Sequence, residues 1–196
     1  MQKFTQLFAE AILPILGFYY WDWSWYFILL FYILDVFAKE LILNLQANRI
    51  YNTQGGDETL LTWKKSTVKS VLLGLSVLTL LHLLQYIRLP DFSVSNEIVN
   101  FFYHKEMGLP QGIILIPLIF VNVWMQYKMN FLKLNLHLKM KMSQMWSEHI
   151  HYRLFVLGIV SLGLIATTVF GLNDAVLLWS AVLVPFIYLQ FFKKEV

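Results

Sequence analysis

The chain contains no cysteine among its 196 residues. That absence excludes disulfides, a thiol nucleophile, thiolate-bound zinc and cysteine-held iron–sulfur clusters. The sequence also lacks a nucleophile elbow, a Walker loop, an HExxH motif and a paired-aspartate metal motif. These absences count against an enzyme, although a membrane enzyme with sparse motifs stays open as an alternative. We predict no cofactor.

Charge is scarce as well. Only 14% of the residues are charged, whereas an average soluble domain carries about 25%. Hydrophobic residues make up 58% and aromatic residues 17%, and the mean hydropathy is +0.60. A soluble fold this apolar would lack the polar surface to cover itself, and its tryptophans and tyrosines are typical of membrane interfaces. No basic run with interleaved aromatics indicates a nucleic-acid partner.

Six apolar stretches are long enough to cross a bilayer core of about 30 Å as helices. We predict an all-α polytopic membrane protein with one transmembrane domain, a bundle of about six helices joined by short loops. The predicted spans are residues 4–20, 24–45, 66–87, 110–127, 153–170 and 175–192. Pro14 and Pro117 are kink candidates, and Pro185 is expected to break the last span.

Turn and cap residues separate the spans. Trp21-Asp22-Trp23 predicts a tight connection, Gly55-Gly56-Asp57 predicts a turn, and Gly171-Leu172-Asn173-Asp174 predicts a reversal with Asn or Asp as the next cap. Between the third and fourth spans, Ser95 and Glu97 predict the start of a short interfacial helix, with Ser95 as its cap.

The positive charges predict an orientation. If six spans alternate across the membrane, 12 of the 15 Lys and Arg residues fall on the face that carries both termini. Only Arg88 and Lys105 fall on the other face. Because short cytoplasmic loops are enriched in Lys and Arg, we predict cytoplasmic termini in a bacterial-type plasma (inner) membrane.

Ionisable residues in the first two spans form the strongest candidate site. An acid or base near mid-membrane costs roughly 2.5–3.5 kcal/mol on insertion scales. Asp35 and Lys39 are i,i+4 partners, Glu40 lies beside them, and a hairpin would bring Glu10 to a similar depth. This cluster is either an ion or substrate path or a set of salt bridges that fixes helix register, with Lys39 and Glu40 near enough to the interface to snorkel.

Histidines offer two weaker sites. His82 and Gln85 lie one turn apart on the third span and are candidates for a polar path. His149 and His151 resemble a metal-ligand pair in a predicted loop, but histidines at i,i+2 share a face only on a strand. The alternative for this pair is a polar stretch at the head groups before the fifth span.

Residues 132–142 alternate strictly between apolar and polar side chains. This period of two is typical of a strand, which would need a partner such as the 49–62 segment, a second subunit or another protein. The favoured interpretation is a cytoplasmic extension of the fourth span whose alternation is accidental. Small residues at four-residue spacing, Ser70/Gly74 and Gly163/Thr167/Gly171, predict faces for close helix packing.

Three N-terminal motifs carry a resemblance. Pro14-Ile15-Leu16-Gly17, the Trp21-Asp22-Trp23 turn and Tyr32-Ile33-Leu34-Asp35 together resemble the start of a bacterial family of small polytopic membrane proteins of unknown function. Members of that family tend to have a Tyr-x-Leu-acid run in the second span. The resemblance implies no activity. Among the candidate site residues it strengthens the case for Asp35 alone.

Together these features predict a non-catalytic integral membrane subunit or scaffold of a larger assembly. Its expected partners are the lipid bilayer and another membrane protein or a second copy of the chain. The alternative is a small transporter or channel, with or without proton coupling, that uses Glu10, Asp35 and Lys39 together with His82. An enzyme acting on a lipid or a membrane-soluble substrate is the third hypothesis.

Overall fold

A computed structural model of the chain describes the backbone of residues 2–89, 91–103, 105–106 and 109–191. Within these ranges, side chains are described except at residues 2–10, 105–106, 109–111, 156–157, 184–186 and 188–191. Helices account for nearly all of the described backbone, as the composition predicts.

The elements follow one another in a simple order. The helices are α1 (Gln2–Tyr20), α2 (Trp25–Gln54), α3 (Asp57–Arg88), α4 (Val94–Tyr103), α5 (Gln111–Gln126), a π-helical segment (Tyr127–Leu132), α6 (Leu136–Lys139), α7 (Met142–Phe170) and α8 (Asp174–Phe191). Between α4 and α5, the two-residue strands β1 (Lys105–Glu106) and β2 (Leu109–Pro110) pair antiparallel.

The connection between α1 and α2 is tight, as predicted. Asp22 adopts a left-handed conformation with φ of 51°. The backbone amides of Trp21 and Trp23 both donate to the carbonyl oxygen of Gly17, at 3.2 and 2.9 Å. A Cβ at Gly17 would lie 2.1 Å from the Trp23 ring, so glycine is required for the ring to fold back onto α1.

The two glycine turns also form where predicted. Gly55 and Gly56 take φ of +66° and +90° between α2 and α3, and Gly171 takes +62° after α7. Asn173 then caps α8, because its Oδ1 accepts from the Ala175 amide at 3.0 Å.

Two local predictions are wrong. The hydroxyl of Ser93, not Ser95, accepts from the amide of Asn96 at 3.4 Å, because α4 begins at Val94 and Ser93 is the residue that precedes its first turn. Glu97 lies in that first turn as predicted. The backbone of α8 continues past Pro185 to Phe191 without a break.

The strand interpretation of residues 132–142 is also wrong. The π-helical segment ends in a bond from the Lys133 amide to the Lys128 carbonyl, and Asn135 then turns left-handed with φ of 52°. After α6, Met140 is extended, and α7 begins at Met142. The alternating side chains therefore lie on short helical pieces. This supports the interpretation that the alternation is accidental over the interpretation as a strand.

The chain divides into two compact units. The first unit comprises Met1–Leu29, Leu75–Glu97 and His151–Val196. Its largest fully buried side chains come from α1, from the start of α2, from α3, from α7 and from α8: Pro14, Tyr26, Ile28, Leu81, Leu164, Thr167, Leu177 and Leu178. Gly163 lets α8 approach closely, because a Cβ there would lie 3.0 Å from the Ser180 hydroxyl.

The second unit comprises Leu30–Gly74 and Ile98–Ile150. Its core holds one face of α2 together with side chains from α4, α5, the π-helical segment and α7: Ala38, Ala47, Ile50, Phe101, Ile119, Val123, Phe131 and Trp146. The two alanines are fully buried, which fits the close packing of neighbouring helices against α2.

Three stretches in the described ranges are long and apolar enough to cross a membrane: Asp57–Arg88, Gly112–Leu132 and Met142–Phe170. Only 17%, 28% and 31% of their apolar windows are buried inside the chain. Exposed apolar helices of this length are typical of a lipid-facing surface and support the prediction of a membrane protein. Helix α2 is equally long but carries Asp35, Lys39 and Glu40 in its apolar stretch.

Candidate functional site

The predicted charge cluster begins with a local pair. The Lys39 ammonium lies 2.6 Å from a carboxylate oxygen of Asp35, one turn away on α2. The two side chains are 25% and 14% exposed. This pairing follows from the i,i+4 spacing and partly neutralises both charges. Glu10 belongs to α1, but its side chain lies outside the described residues.

Glu40 lies at the meeting point of three helices in the second unit. Its Oε2 accepts from the Ser70 hydroxyl of α3 at 3.0 Å and from Nε2 of His149 of α7 at 3.1 Å. Ser70 is completely buried, and Glu40 and His149 are each only 15% exposed. Two donors on one carboxylate oxygen offset the cost of placing this charge among apolar side chains.

The next turn of α2 extends these contacts. Asn44 donates from Nδ2 to the Glu40 carbonyl at 3.0 Å. Its Oδ1 accepts from the Trp63 indole and the Thr67 hydroxyl of α3, each at 3.1 Å. We call this set the Glu40 network: Glu40, Asn44, Trp63, Thr67, Ser70 and His149. Its contacts run antiparallel along α2 and α3, as the Gly55-Gly56 turn requires.

The geometry of the Glu40 network does not match a hydrolase triad. In a triad the histidine stands between the hydroxyl nucleophile and the carboxylate, so that it can take the hydroxyl proton. Here the carboxylate stands between Ser70 and His149, and both donate to the same oxygen. The arrangement holds helices together and offers a carboxylate–imidazole pair for a proton, but it does not activate the serine.

Most of this network is not predicted from the sequence. The sequence places Glu40 in a cluster with Lys39, Ser70 on a packing face and His149 in a metal pair, and it predicts no role for Asn44, Trp63 or Thr67. The spacing of the polar residues is the one signal that indicates the network. Polar residues recur at i, i+4 on α2 and at i, i+4, i+7 on α3, and a two-glycine turn joins the two helices.

His82 and Gln85 lie on α3 in the first unit, and their hydrogen-bonding environments differ. His82 donates from Nδ1 to the Leu78 carbonyl at 2.7 Å, so in the neutral ring Nε2 accepts from the Tyr26 hydroxyl at 2.6 Å. Gln85 is 3% exposed. Its Oε1 has no hydrogen-bond partner among the described residues. One turn further along α3, Arg88 forms an ion pair with Asp174 at the start of α8.

His149 and His151 lie inside α7, not in a loop. Their side chains point apart because residues two positions apart on a helix differ by about 200° in direction. His149 contacts Glu40, and its ring also packs edge-on against the Trp146 ring, with 6.3 Å between the two ring centroids. Within the described residues there is no group of three or more potential metal ligands.

Side chains from the end of α2 hold the irregular segment before α7. Gln54 donates from Nε2 to the carbonyl oxygens of His137 and Met140, each at 3.0 Å. The Thr53 hydroxyl reaches the same His137 carbonyl at 3.2 Å. The 49–62 region therefore does contact this segment, through side chains and not through a strand ladder.

No family model, no curated protein and no solved structure matches the chain.

Proposed function

We propose that the chain is a non-catalytic membrane subunit or scaffold whose intramembrane polar groups hold its own helices together. The observation that carries this proposal is the Glu40 network. Its carboxylate is engaged by donors from two other helices, and the neighbouring Asp35 is engaged by Lys39. Charges that serve structure are paired in this way, because an unpaired buried charge is costly.

The pairing of Asp35 with Lys39 and of Glu40 with its two donors also supports an arrangement of six membrane-spanning helices. With its charges neutralised in place, α2 can cross a bilayer beside α3, and α1, α5 with the π-helical segment, α7 and α8 supply the other spans. Helix α4 then lies at the interface. The distribution of Lys and Arg favours cytoplasmic termini in a bacterial-type inner membrane. The resemblance of the N-terminal motifs to a bacterial membrane family stays a prediction.

The proposal is tested by native mass spectrometry of the chain extracted in a mild detergent from its own membrane. A second protein in fixed stoichiometry supports the subunit role. The control is an unrelated multi-pass protein of similar size extracted in the same way, which must not carry the same second protein. Recovery of the chain alone, or only as a homo-oligomer, contradicts the subunit role.

A small transporter or channel is the second candidate, and one observation favours it. Glu40 and His149 form a largely buried carboxylate–imidazole pair, the kind of pair found along proton relays in transporters. In liposomes, Glu40→Gln and Asp35→Asn would then abolish flux without loss of insertion. The matched control is Glu148→Gln, which removes an exposed carboxylate next to His149. Loss of stability without any measured wild-type flux would contradict this candidate.

A further inference from the structure

Three exposed lysines near the start of α3 frame an apolar strip. One shallow depression in the surface of the second unit is lined by Lys64, Lys65, Val68, Lys69 and Leu72. At 100° per residue, Val68 and Leu72 lie between Lys64 on one side and Lys65 and Lys69 on the other, within an arc of roughly 140°. Val68 and Leu72 are each 59% exposed. We call these five residues the lysine face.

No described carboxylate neutralises the charge of the lysine face. Lys39 and Arg88 have carboxylate partners. In the part of the chain that the structure describes, no ion pair involves Lys64, Lys65 or Lys69. Three ammonium groups within six residues therefore present a concentrated positive charge directly beside exposed apolar side chains.

We propose that the lysine face binds one anionic phospholipid. The ammonium groups would hold the phosphate, and Val68 and Leu72 would contact the first part of an acyl chain. Along the helix axis, Lys65 and Leu72 are separated by about 10 Å, which matches the step from head group to acyl region. This inference rests on the proposed placement of α3 across a membrane.

Two features favour a lipid over an acidic protein segment as the occupant. Lys64 and Lys65 begin the lysine face and Leu72 ends it, on a helix that is long enough to span a bilayer, so both ends of an amphiphile meet a matching surface. Basic clusters beside the cytoplasmic end of a transmembrane helix are also typical of sites that attract anionic lipids.

The test compares two variants that lose the same charge. The lysine-face variant combines Lys64→Gln, Lys65→Gln and Lys69→Gln in one chain. The control variant combines Lys133→Gln, Lys139→Gln and Lys141→Gln. All six lysines are exposed. The full-length proteins in neutral detergent are titrated with phosphatidylglycerol or phosphatidylcholine of equal acyl length. Bound lipid is counted by native mass spectrometry, and helix content is checked by circular dichroism.

A lysine near an anionic surface contributes about fivefold in affinity, so three engaged lysines should favour phosphatidylglycerol by about a hundredfold, and engagement of only two by more than about tenfold. We expect the wild type and the control to show that preference and the lysine-face variant to lose it. Equal loss in both variants, or no preference in the wild type, would overturn the proposal. So would displacement of the lipid by an equal concentration of glycerol 3-phosphate, which has no acyl chain.

A separate measurement distinguishes failure of this inference from failure of the proposed function. Membranes that contain the protein are extracted with alkaline carbonate. Release of the chain would contradict membrane insertion and overturn both proposals. Retention of the chain without a preference for phosphatidylglycerol would overturn only the lipid site.

Discussion

Glu40 of α2 and His149 of α7 are 109 residues apart in the sequence, and they share a hydrogen bond of 3.1 Å. The same carboxylate oxygen accepts from Ser70 of α3, so one side chain ties three helices of the second unit together. These contacts explain how α2 can carry a carboxylate within an apolar stretch, and they provide the first target for mutagenesis.

We expect Glu40 and His149 to be energetically coupled. Glu40→Ala leaves two buried donors without their acceptor and should lower the free energy of unfolding by about 1–3 kcal/mol. A double-mutant cycle with His149→Ala should give a coupling of about 0.6 kcal/mol, the average for hydrogen bonds between membrane helices, and no more than about 1.7 kcal/mol. Unfolding in mixed micelles measures both quantities. Glu148→Ala, at an exposed carboxylate on α7, should change stability by less than about 0.5 kcal/mol. Simple additivity of Glu40→Ala and His149→Ala would refute the coupling.

Gly112 permits a backbone contact between α4 and α5. A Cβ at this position would lie 1.9 Å from the carbonyl oxygen of Phe101, and no rotamer change can relieve a clash with backbone. We expect Gly112→Ala to cost about 1–3 kcal/mol. Gly158 of α7 has nothing within 4 Å of a Cβ, so Gly158→Ala should stabilise its helix by about 0.5–1 kcal/mol. Thermal unfolding in detergent compares the two variants, and equal melting temperatures would contradict the contact.

Gln54 should protect the segment that precedes α7. Its side chain satisfies the carbonyl oxygens of His137 and Met140, and loss of two hydrogen bonds worth about 1 kcal/mol each should raise local opening by about tenfold or more. We expect trypsin to cleave Gln54→Ala faster after Lys139 than it cleaves the wild type. Gln144→Ala, at an exposed residue of α7, should leave the rate unchanged. An unchanged rate in Gln54→Ala would show that these bonds do not limit opening.

The absence of cysteine makes the proposed topology directly measurable, because the wild type cannot react with a maleimide. We expect Ser95→Cys and Leu172→Cys to react with a membrane-impermeant maleimide in intact cells. Asn52→Cys and Ser143→Cys should react only after the cells are permeabilised. All four positions are exposed in the structure, so burial does not prevent labelling. The reverse pattern would place the termini outside, and a mixed pattern would contradict the count of six spans.

Short-range predictions held where local chemistry decides the backbone. Gly55, Gly56 and Gly171 take the positive φ that their turns require, and Asn173 caps α8. Asp35 and Lys39 pair because helix geometry alone brings i and i+4 together. Ser95 failed as a cap because two serines stand near the start of α4, and cap propensity does not choose between them.

Longer-range features depended on packing. The alternating residues 132–142 look like a strand on their own, yet side chains from the end of α2 and the turn at Asn135 hold them as short helical pieces. On the sequence alone His149 resembles half of a metal pair, but α7 begins at Met142, and its helical geometry directs the ring toward Glu40.

The amino-acid sequence was sufficient to establish an apolar, all-helical chain, because hydropathy and helix periodicity are properties of neighbouring residues. It also identified Asp35, Lys39 and Glu40 as the charges that need a partner. Only the tertiary structure decided that Glu40 meets Ser70 and His149. The rotation and register of packed helices depend on the whole set of side chains at their contacts, and no local pattern encodes a pairing across 109 residues.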